Sequence, residues 1–460
     1  MLALVPMLGG LALVVAYGIA IANANEHVSA FGVAVVAAIL IGFIAVGVAT
    51  KEDKKWLPTM IMAGFTAKLI ASTVRWWVLV DFYGGSGDAV GYHKFGHEYV
   101  HLWRTFHMPP MASGTEAMEG LTGLVYVPYA PNFLGGFYMF ATLAFIGQIF
   151  CYMAFRNATV PRRNKLYAVA IFFVPTIVYW PSSIGKESVI VLGLGIAAYG
   201  LSRVLAQGSF GSLVTISIGL LIAGIIRPHI SAMVAAAGVF ALVFSKGTGV
   251  ATMRAKRLPL IALSLGGLAV LVVISASNFN ISLESGVGEI DEFVTSVEGQ
   301  TTTGGSSVEG GFISSPLEFP EVTLRVLFRP LPYEAHNPPA FASSLEGAAL
   351  LLLVIWKFIP MVRRGFRSRR DPYMLFCIMF TFLFIIAFSS FLNLGLMARE
   401  RSQVMPFFLA MIVALGFGPP NDAEDADAPE TAAPGLDGEP EPVGYPFSPG
   451  AVGAAGSPLP

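Results

Sequence analysis

Apolar runs of roughly 15 to 22 residues recur along almost all of this 460-residue chain, and no other feature restricts its fold so strongly. A helix needs about 20 apolar residues to cross a bilayer. Inside a bilayer every backbone polar group must be satisfied within the protein, so helices are the spanning structure that such runs can form. The runs lie near 3–23, 29–49, 58–80, 132–155, 166–180, 187–204, 210–226, 229–245, 258–276, 343–361, 372–392 and 403–418. They predict an all-α polytopic membrane protein of about twelve transmembrane helices. Composition agrees, because 55% of residues are hydrophobic and only 12% charged, against about a quarter charged in a soluble chain. Mean hydropathy is +0.69. Cys151 and Cys377 both fall inside apolar runs, which argues against a disulfide framework or a Cys-based metal site. The first run ends in Ala-Asn-Ala, like a signal-peptidase site. It lacks a basic leader and is long for a signal peptide, so it reads as a span.

Basic residues set the orientation, since cytoplasmic loops collect Lys and Arg. The clusters at 51–55, 156–165, Arg203, Lys246 with 254–257, and 363–370 fall on alternate connections; with Lys357 they hold 18 of the 28 Lys and Arg. The opposite connections hold 8, and Lys68 and Arg75 lie within an apolar run. This asymmetry puts both termini inside. The chain then divides into a transmembrane helical domain, 1–418, with external loops near 81–131 and 277–342, and a Pro- and acid-rich tail, 419–460, without Lys or Arg. Such a tail reads as disordered and cytoplasmic. Residues 277–320 read as a flap or linker.

The polar stretches that remain all fall on the external side: residues 81–104, "WPSSIGKES" (180–188), "RPH" (227–229), "FRPLPYEAHN" (328–337) and "NLGLMARERSQ" (393–403). Together they offer the carboxylates Asp81, Asp88, Glu187 and Glu334 as candidate catalytic groups. Lys186, Arg227, His229, Arg329, His336, Arg399 and Arg401 are candidate substrate-binding groups. Arginines at helix ends suit the diphosphate of a lipid carrier, because guanidinium binds phosphate oxygens bidentately. A carboxylate near them would take the proton of an acceptor hydroxyl in glycosyl transfer. Each residue also has a plain structural reading: an interfacial pair for Lys186 and Glu187, a helix-end anchor for Arg227, headgroup contacts for Arg399 and Arg401, turn formation for Asp81 and Asp88. Trp76, Trp77, Trp103 and Trp180 read as an interfacial aromatic belt. Lys68 must face the bundle and find a carboxylate or carbonyl partner. His93, His97 and His101, at steps of four, share one helical face. They admit a transition-metal site, although "HKFGHEYVH" is not the metalloprotease motif and an interfacial amphipathic helix explains the same spacing. No cofactor is required on this reading, and a divalent cation is an option. The sequence shows no nucleotide-binding loop, which argues against cytoplasmic ATP or nucleotide sugar as substrate, and nothing suggests nucleic acid as a partner.

Several short motifs carry a resemblance: "GDAxxYHxxG" from Gly87, "PxxxxWxSSxxKE" from Pro175 to Glu187, "IRPH", "FRPLPYEAHN" followed by "SLE", and "NxGxxxRxRxQxxP" from Asn393 to Pro406. Together they resemble the bacterial multi-pass proteins of surface-polysaccharide assembly, the group around O-antigen type polymerases and GT-C-like glycosyltransferases. The resemblance spans most of 58–418. It implies a polyprenyl-diphosphate-linked glycan as substrate, an active site on the external face of the cytoplasmic membrane, other envelope-assembly proteins as partners, and a base at Asp81 or Asp88. It also implies diphosphate binding at Arg227, Arg329 and Arg401. The acidic loop follows the third apolar run here rather than the first, which departs from the GT-C pattern. Two other readings stay open: a transporter or flippase of a lipid-linked or anionic solute, and a non-catalytic scaffold.

Overall fold

Proline and glycine cut the apolar runs into helices of unequal length. The computed structural model describes residues 12, 15–19, 25–52, 54–157, 163–207, 211–244, 266–267, 311, 313, 315–335, 337–368 and 371–418. The runs 3–23 and 258–276 are thus mostly outside the described residues, and His336, all of 277–310 and the acidic tail are wholly outside them. In chain order the helices are α1 (Glu26–Glu52), α2 (Leu57–Trp77, continued by a π turn over Val78–Phe82), α3 (Asp88–Arg104), α4 (Thr115–Tyr126), α5 (Phe133–Arg156), α6 (Asn164–Phe173), α7 (Pro175–Tyr179) and α8 (Lys186–Gln207). They continue with α9 (Ser212–Ile226), α10 (Pro228–Phe244), α11 (Phe319–Phe328), α12 (Pro338–Gly365), α13 (Pro372–Ala387), α14 (Leu394–Glu400) and α15 (Met405–Met411, continued by a π turn over Ile412–Phe417). No β-strand occurs among the described residues.

Among the described residues, five helices are long and apolar enough to cross a membrane: Glu26–Lys51, Leu57–Phe82, Phe133–Arg156, Lys186–Leu205 and Pro338–Gly365. A sixth forms if Leu394–Gln403 and Met405–Phe417, bent by 67°, count as one span. The apolar helices α6, α9, α10 and α13 are shorter, at 10–17 residues. The run expected as one span over 166–180 is instead two helices. Val174 is extended (φ −63°, ψ 124°), as a residue before proline prefers, and Pro175 has no N–H to continue the ladder. The Thr176 N–H at the new helix start donates to Glu346 Oε2 of α12 at 2.7 Å, so a carboxylate from another helix caps α7.

The central helices approach closely because glycines face one another. A Cβ on Gly147 of α5 would lie 2.4 Å from the Val191 carbonyl oxygen, and one on Gly195 of α8 would lie 2.1 Å from that of Gly147. On the other side of α8, a Cβ on Gly219 of α9 would meet the Ala197 nitrogen at 2.3 Å. Small residues at a crossing give contact between backbones, which drives helix association where lipid cannot. Aromatic rings fill the remaining core: Phe155 stacks on Tyr167 at 4.1 Å, and the Tyr167 hydroxyl donates to the Pro406 carbonyl at 3.0 Å.

The stretch 81–131, expected as an external loop, holds the hairpin α3–α4. A Cβ on Gly96 would meet Thr122 at 2.5 Å, and Trp103 Nε1–H donates to the Gly120 carbonyl at 2.8 Å. Trp103 therefore ties this hairpin together. The turn before α3 uses Gly84, Gly85 and Gly87 at φ of 63°, 72° and 141°, conformations that a residue with a Cβ rarely adopts.

Candidate functional site

A stripe on α2 holds the floor of the site. Lys68, Ser72 and Arg75 are spaced four and three residues apart, so they share one face. Lys68 Nζ donates to the Ile177 carbonyl at 2.7 Å, and Ser72 Oγ donates to that of Ser182 at 2.9 Å. Arg75 Nη1 donates to the Tyr179 carbonyl at 3.1 Å and to that of Trp180. Those carbonyls belong to α7 and to "WPSSIG", the segment between α7 and α8. Pro175 and Pro181 interrupt regular helix there, and the side chains of α2 partner the carbonyls this exposes. Lys68, wholly buried, thus has the carbonyl partner its position required.

Three consecutive charges, at the end of α14 and the start of the 3₁₀ turn Arg401–Gln403, then reach three different neighbours, since successive helical residues point about 100° apart. Arg399 forms an ion pair with Glu187 Oε1 at 2.8 Å and with Asp88 Oδ2 at 3.3 Å. Glu400 takes both terminal nitrogens of Arg227, one of them at 2.7 Å, and accepts from Gln403 Nε2 at 2.5 Å. Arg401, 0% exposed, turns away and donates to the Leu327 carbonyl at 2.9 Å and to Ser343 Oγ at 3.3 Å. Arg227 sits in the sharp turn between α9 and α10, with Pro228 opening α10, and its second nitrogen lies 3.8 Å from Glu187 Oε1. Lys186 Nζ donates to Thr115 Oγ1 at 3.3 Å.

These residues border a cleft of about 170 Å³, lined by Arg75, Asp88, Tyr179, Trp180, Gly185 and Arg399 among others. Arg75, Lys186, Arg227 and Arg399 outnumber Asp88, Glu187 and Glu400 by one charge, an excess that suits an anion. Asp88 is the exposed member, 60% accessible against 1% for Glu187. Beside it, burial and then the Asp88 carboxylate push the Tyr92 phenol up to about 12, so the phenol keeps its proton and stays a donor.

The sequence candidates separate here. Asp88 and Arg399 line the cleft, while Lys186, Glu187 and Arg227 form the charged layer against them. Asp81, exposed on the π turn, does not line it. Arg329 and Glu334 pair with each other near α11, and Glu334 Oε2 also accepts from the Leu331 N–H at 2.7 Å. Arg401 is a buried fastener rather than a lining residue. His229 lies half-buried on α10 beside the Phe388 ring, 6.4 Å between centroids. His93 Nδ1 is 2.6 Å from the Tyr126 hydroxyl, and burial, with His97 nearby, lowers its imidazole to about 4. His101 Nδ1 turns to the Glu98 carbonyl at 2.6 Å. The three histidines do not converge, and among the described residues no group of three His, Cys, Asp or Glu is arranged to hold a metal. Trp180 stands in the cleft wall. Sequence reasoning missed Glu400, Gln403 and the part played by Arg75. For Arg75 the signal was present in the Lys68–Ser72–Arg75 spacing.

Searches of protein-family models, of curated proteins and of solved structures find no match to this chain.

Proposed function

We propose that the protein is an integral membrane glycosyltransferase of the polysaccharide-polymerase type. It would use polyprenyl-diphosphate-linked sugars at the external face of the bacterial cytoplasmic membrane, with both termini on the cytoplasmic side. The observation that carries this reading is the meeting of two guanidinium groups, Arg75 and Arg399, with one exposed carboxylate, Asp88, in a single cleft. Arg399 and Arg75 hold the diphosphate; the start of α8 adds partial positive charge from the same side. Asp88 accepts the proton of the acceptor hydroxyl. The new bond from that oxygen to the anomeric carbon forms as the bond from the anomeric carbon to the phosphate oxygen breaks, and the electron pair leaves on the diphosphate. Guanidinium groups fixed beside the leaving group stabilise the developing charge without reorganisation. Arg227, Glu187 and Glu400 orient Arg399 from behind.

The experiment is deletion of the gene in its native host, rescued by wild type, Asp88→Asn or Arg399→Lys. Surface glycan length and lipid-linked oligosaccharides are analysed together. Loss of long glycan with accumulation of single outward-facing lipid-linked units, restored by wild type alone, is the expected result. An unchanged glycan profile would sink the reading. A second reading, a flippase of a lipid-linked solute, draws on the 67° break between α14 and α15, since discontinuous helices mark transporter sites. Intermediates trapped on the cytoplasmic side in the deletion strain would favour it. A scaffold would tolerate both substitutions.

A further inference from the structure

The arginine cleft has a neighbour of opposite character. A cavity of about 500 Å³ lies against it, and Val78, Tyr179, Trp180 and Pro339 line both. Its size falls in the range of small-molecule sites, and its lining is almost wholly apolar. Val74, Trp77 and Phe82 contribute to it from α2 and are 44%, 55% and 54% exposed. Across from them stand Pro338 and Ala342 of α12. Both helices are long enough to span a bilayer, and few residues in the apolar stretch of α12, 11%, are buried within the protein. The mouth of the cavity is therefore a gap between two spanning helices, open to the surroundings those helices require.

The polar lining residues of this cavity are Thr176, Ser343 and Glu346. Glu346 gives one oxygen to the Thr176 N–H at 2.7 Å; the other, Oε1, is buried without a hydrogen bond. Arg401 lies behind these residues, donating to Thr176 Oγ1 and Ser343 Oγ, and does not itself line the cavity, whereas Arg75 and Arg399 line the adjoining cleft. An amphiphile spanning the shared wall has one orientation open to it: head among the arginines, hydrocarbon beneath Trp180.

We infer that this cavity is a chain subsite, in which the first isoprenoid units of the lipid diphosphate lie after entering sideways between α2 and α12. The inference rests on the diphosphate reading of the arginine cleft. Its test uses the full chain in phosphatidylcholine nanodiscs. One probe is a polyprenyl diphosphate carrying a diazirine near its head, and the other a phosphatidylglycerol with a diazirine in its acyl chain. The expected result is labelling by the first probe within Val74–Phe82 and Pro338–Glu346. Ala342→Trp, at an exposed position, should fill the cavity and lower that labelling roughly tenfold. Val74→Trp should act in the same direction from the opposite wall. Binding of soluble pyrophosphate, measured separately by calorimetry, should be unchanged in both variants. Labelling that neither variant reduces, no labelling, or equal labelling by phosphatidylglycerol would overturn the subsite. Labelling that Ala342→Trp abolishes and Arg399→Ala leaves intact, with no pyrophosphate binding, keeps the subsite and removes the diphosphate reading of the cleft.

Discussion

Glu187, 1% exposed, faces two arginines: Arg399 at 2.8 Å and Arg227 at 3.8 Å. Asp88 shares Arg399 with it but stands 60% in the open. The two carboxylates therefore answer differently to removal of charge. Taking one partner from a buried ionic network costs about 3–5 kcal/mol. Glu187→Gln should fall toward the low end of that range, since Arg227 retains Glu400 and Arg399 retains Asp88; thermal unfolding in detergent measures it. Asp88→Asn should change stability by less than about 1 kcal/mol, as an exposed pair does, while abolishing transfer activity. Equal losses of stability in the two variants would contradict this division. His93 supplies a pH test. Its imidazole, held at about 4 by burial and by His97, titrates near 6.5 when unfolded. The unfolded chain therefore binds more protons between these values, and stability falls as pH drops through that window. The wild type should lose more stability than His93→Gln between pH 7 and pH 4.5, with the difference vanishing above pH 7. Charged residues in an apolar chain are conspicuous, which is why Asp88, Glu187, Arg227 and Arg399 were legible from sequence. Glu400 was not: set between two arginines it reads as their local counterion, and its pairing with Arg227, 173 residues away, leaves no local trace.

Helix α2 works as a fastening strip. Lys68, Ser72 and Arg75 engage carbonyls from Ile177 to Ser182, so the broken segment before α8 owes its shape to a helix about a hundred residues earlier. Lys68→Met should leave the Ile177 carbonyl without its donor, an unsatisfied group costing about 1–3 kcal/mol. Removal of a buried amino group offsets this in the global balance. The expected result is faster hydrogen exchange at amides 177–185 with little change in Tm; unchanged exchange would show that α2 does not hold this segment. The crossing of α5 and α8 is less forgiving. Gly195 has no room for even a Cβ, and overpacking of a tight core costs about 1–3 kcal/mol or more. Gly195→Leu should reduce folded yield in the membrane fraction far more than Gly211→Leu, where nothing lies within 4 Å. Long apolar runs were readable because a spanning helix requires them. The break at Pro175, inside a run read as continuous, shows the limit: periodicity does not reveal that Glu346 of a distant helix caps the second piece.

For the whole molecule, a site with excess positive charge should be stabilised by an anion that fits it. Soluble pyrophosphate at about one hundred times its Kd should add about 2.7 kcal/mol to stability. Arg399→Ala should cancel that gain; a gain that persists in the variant would move the anion elsewhere. The sequence sets polar stretches at helix ends, and four of them meet, since α9 ends and α3, α8 and α10 begin around the same group of charges. It did not anticipate that the apolar cavity lies directly alongside, because Trp77 and Phe82 look like any lipid-facing residues in one dimension. The stripe on α2 has a mechanical consequence. With Lys68, Ser72 and Arg75 keyed into the 177–182 backbone, α2 cannot swivel about its axis or slide by a turn without releasing all three at once. Any working cycle of this protein must then carry α2, α7 and the start of α8 as one rigid body.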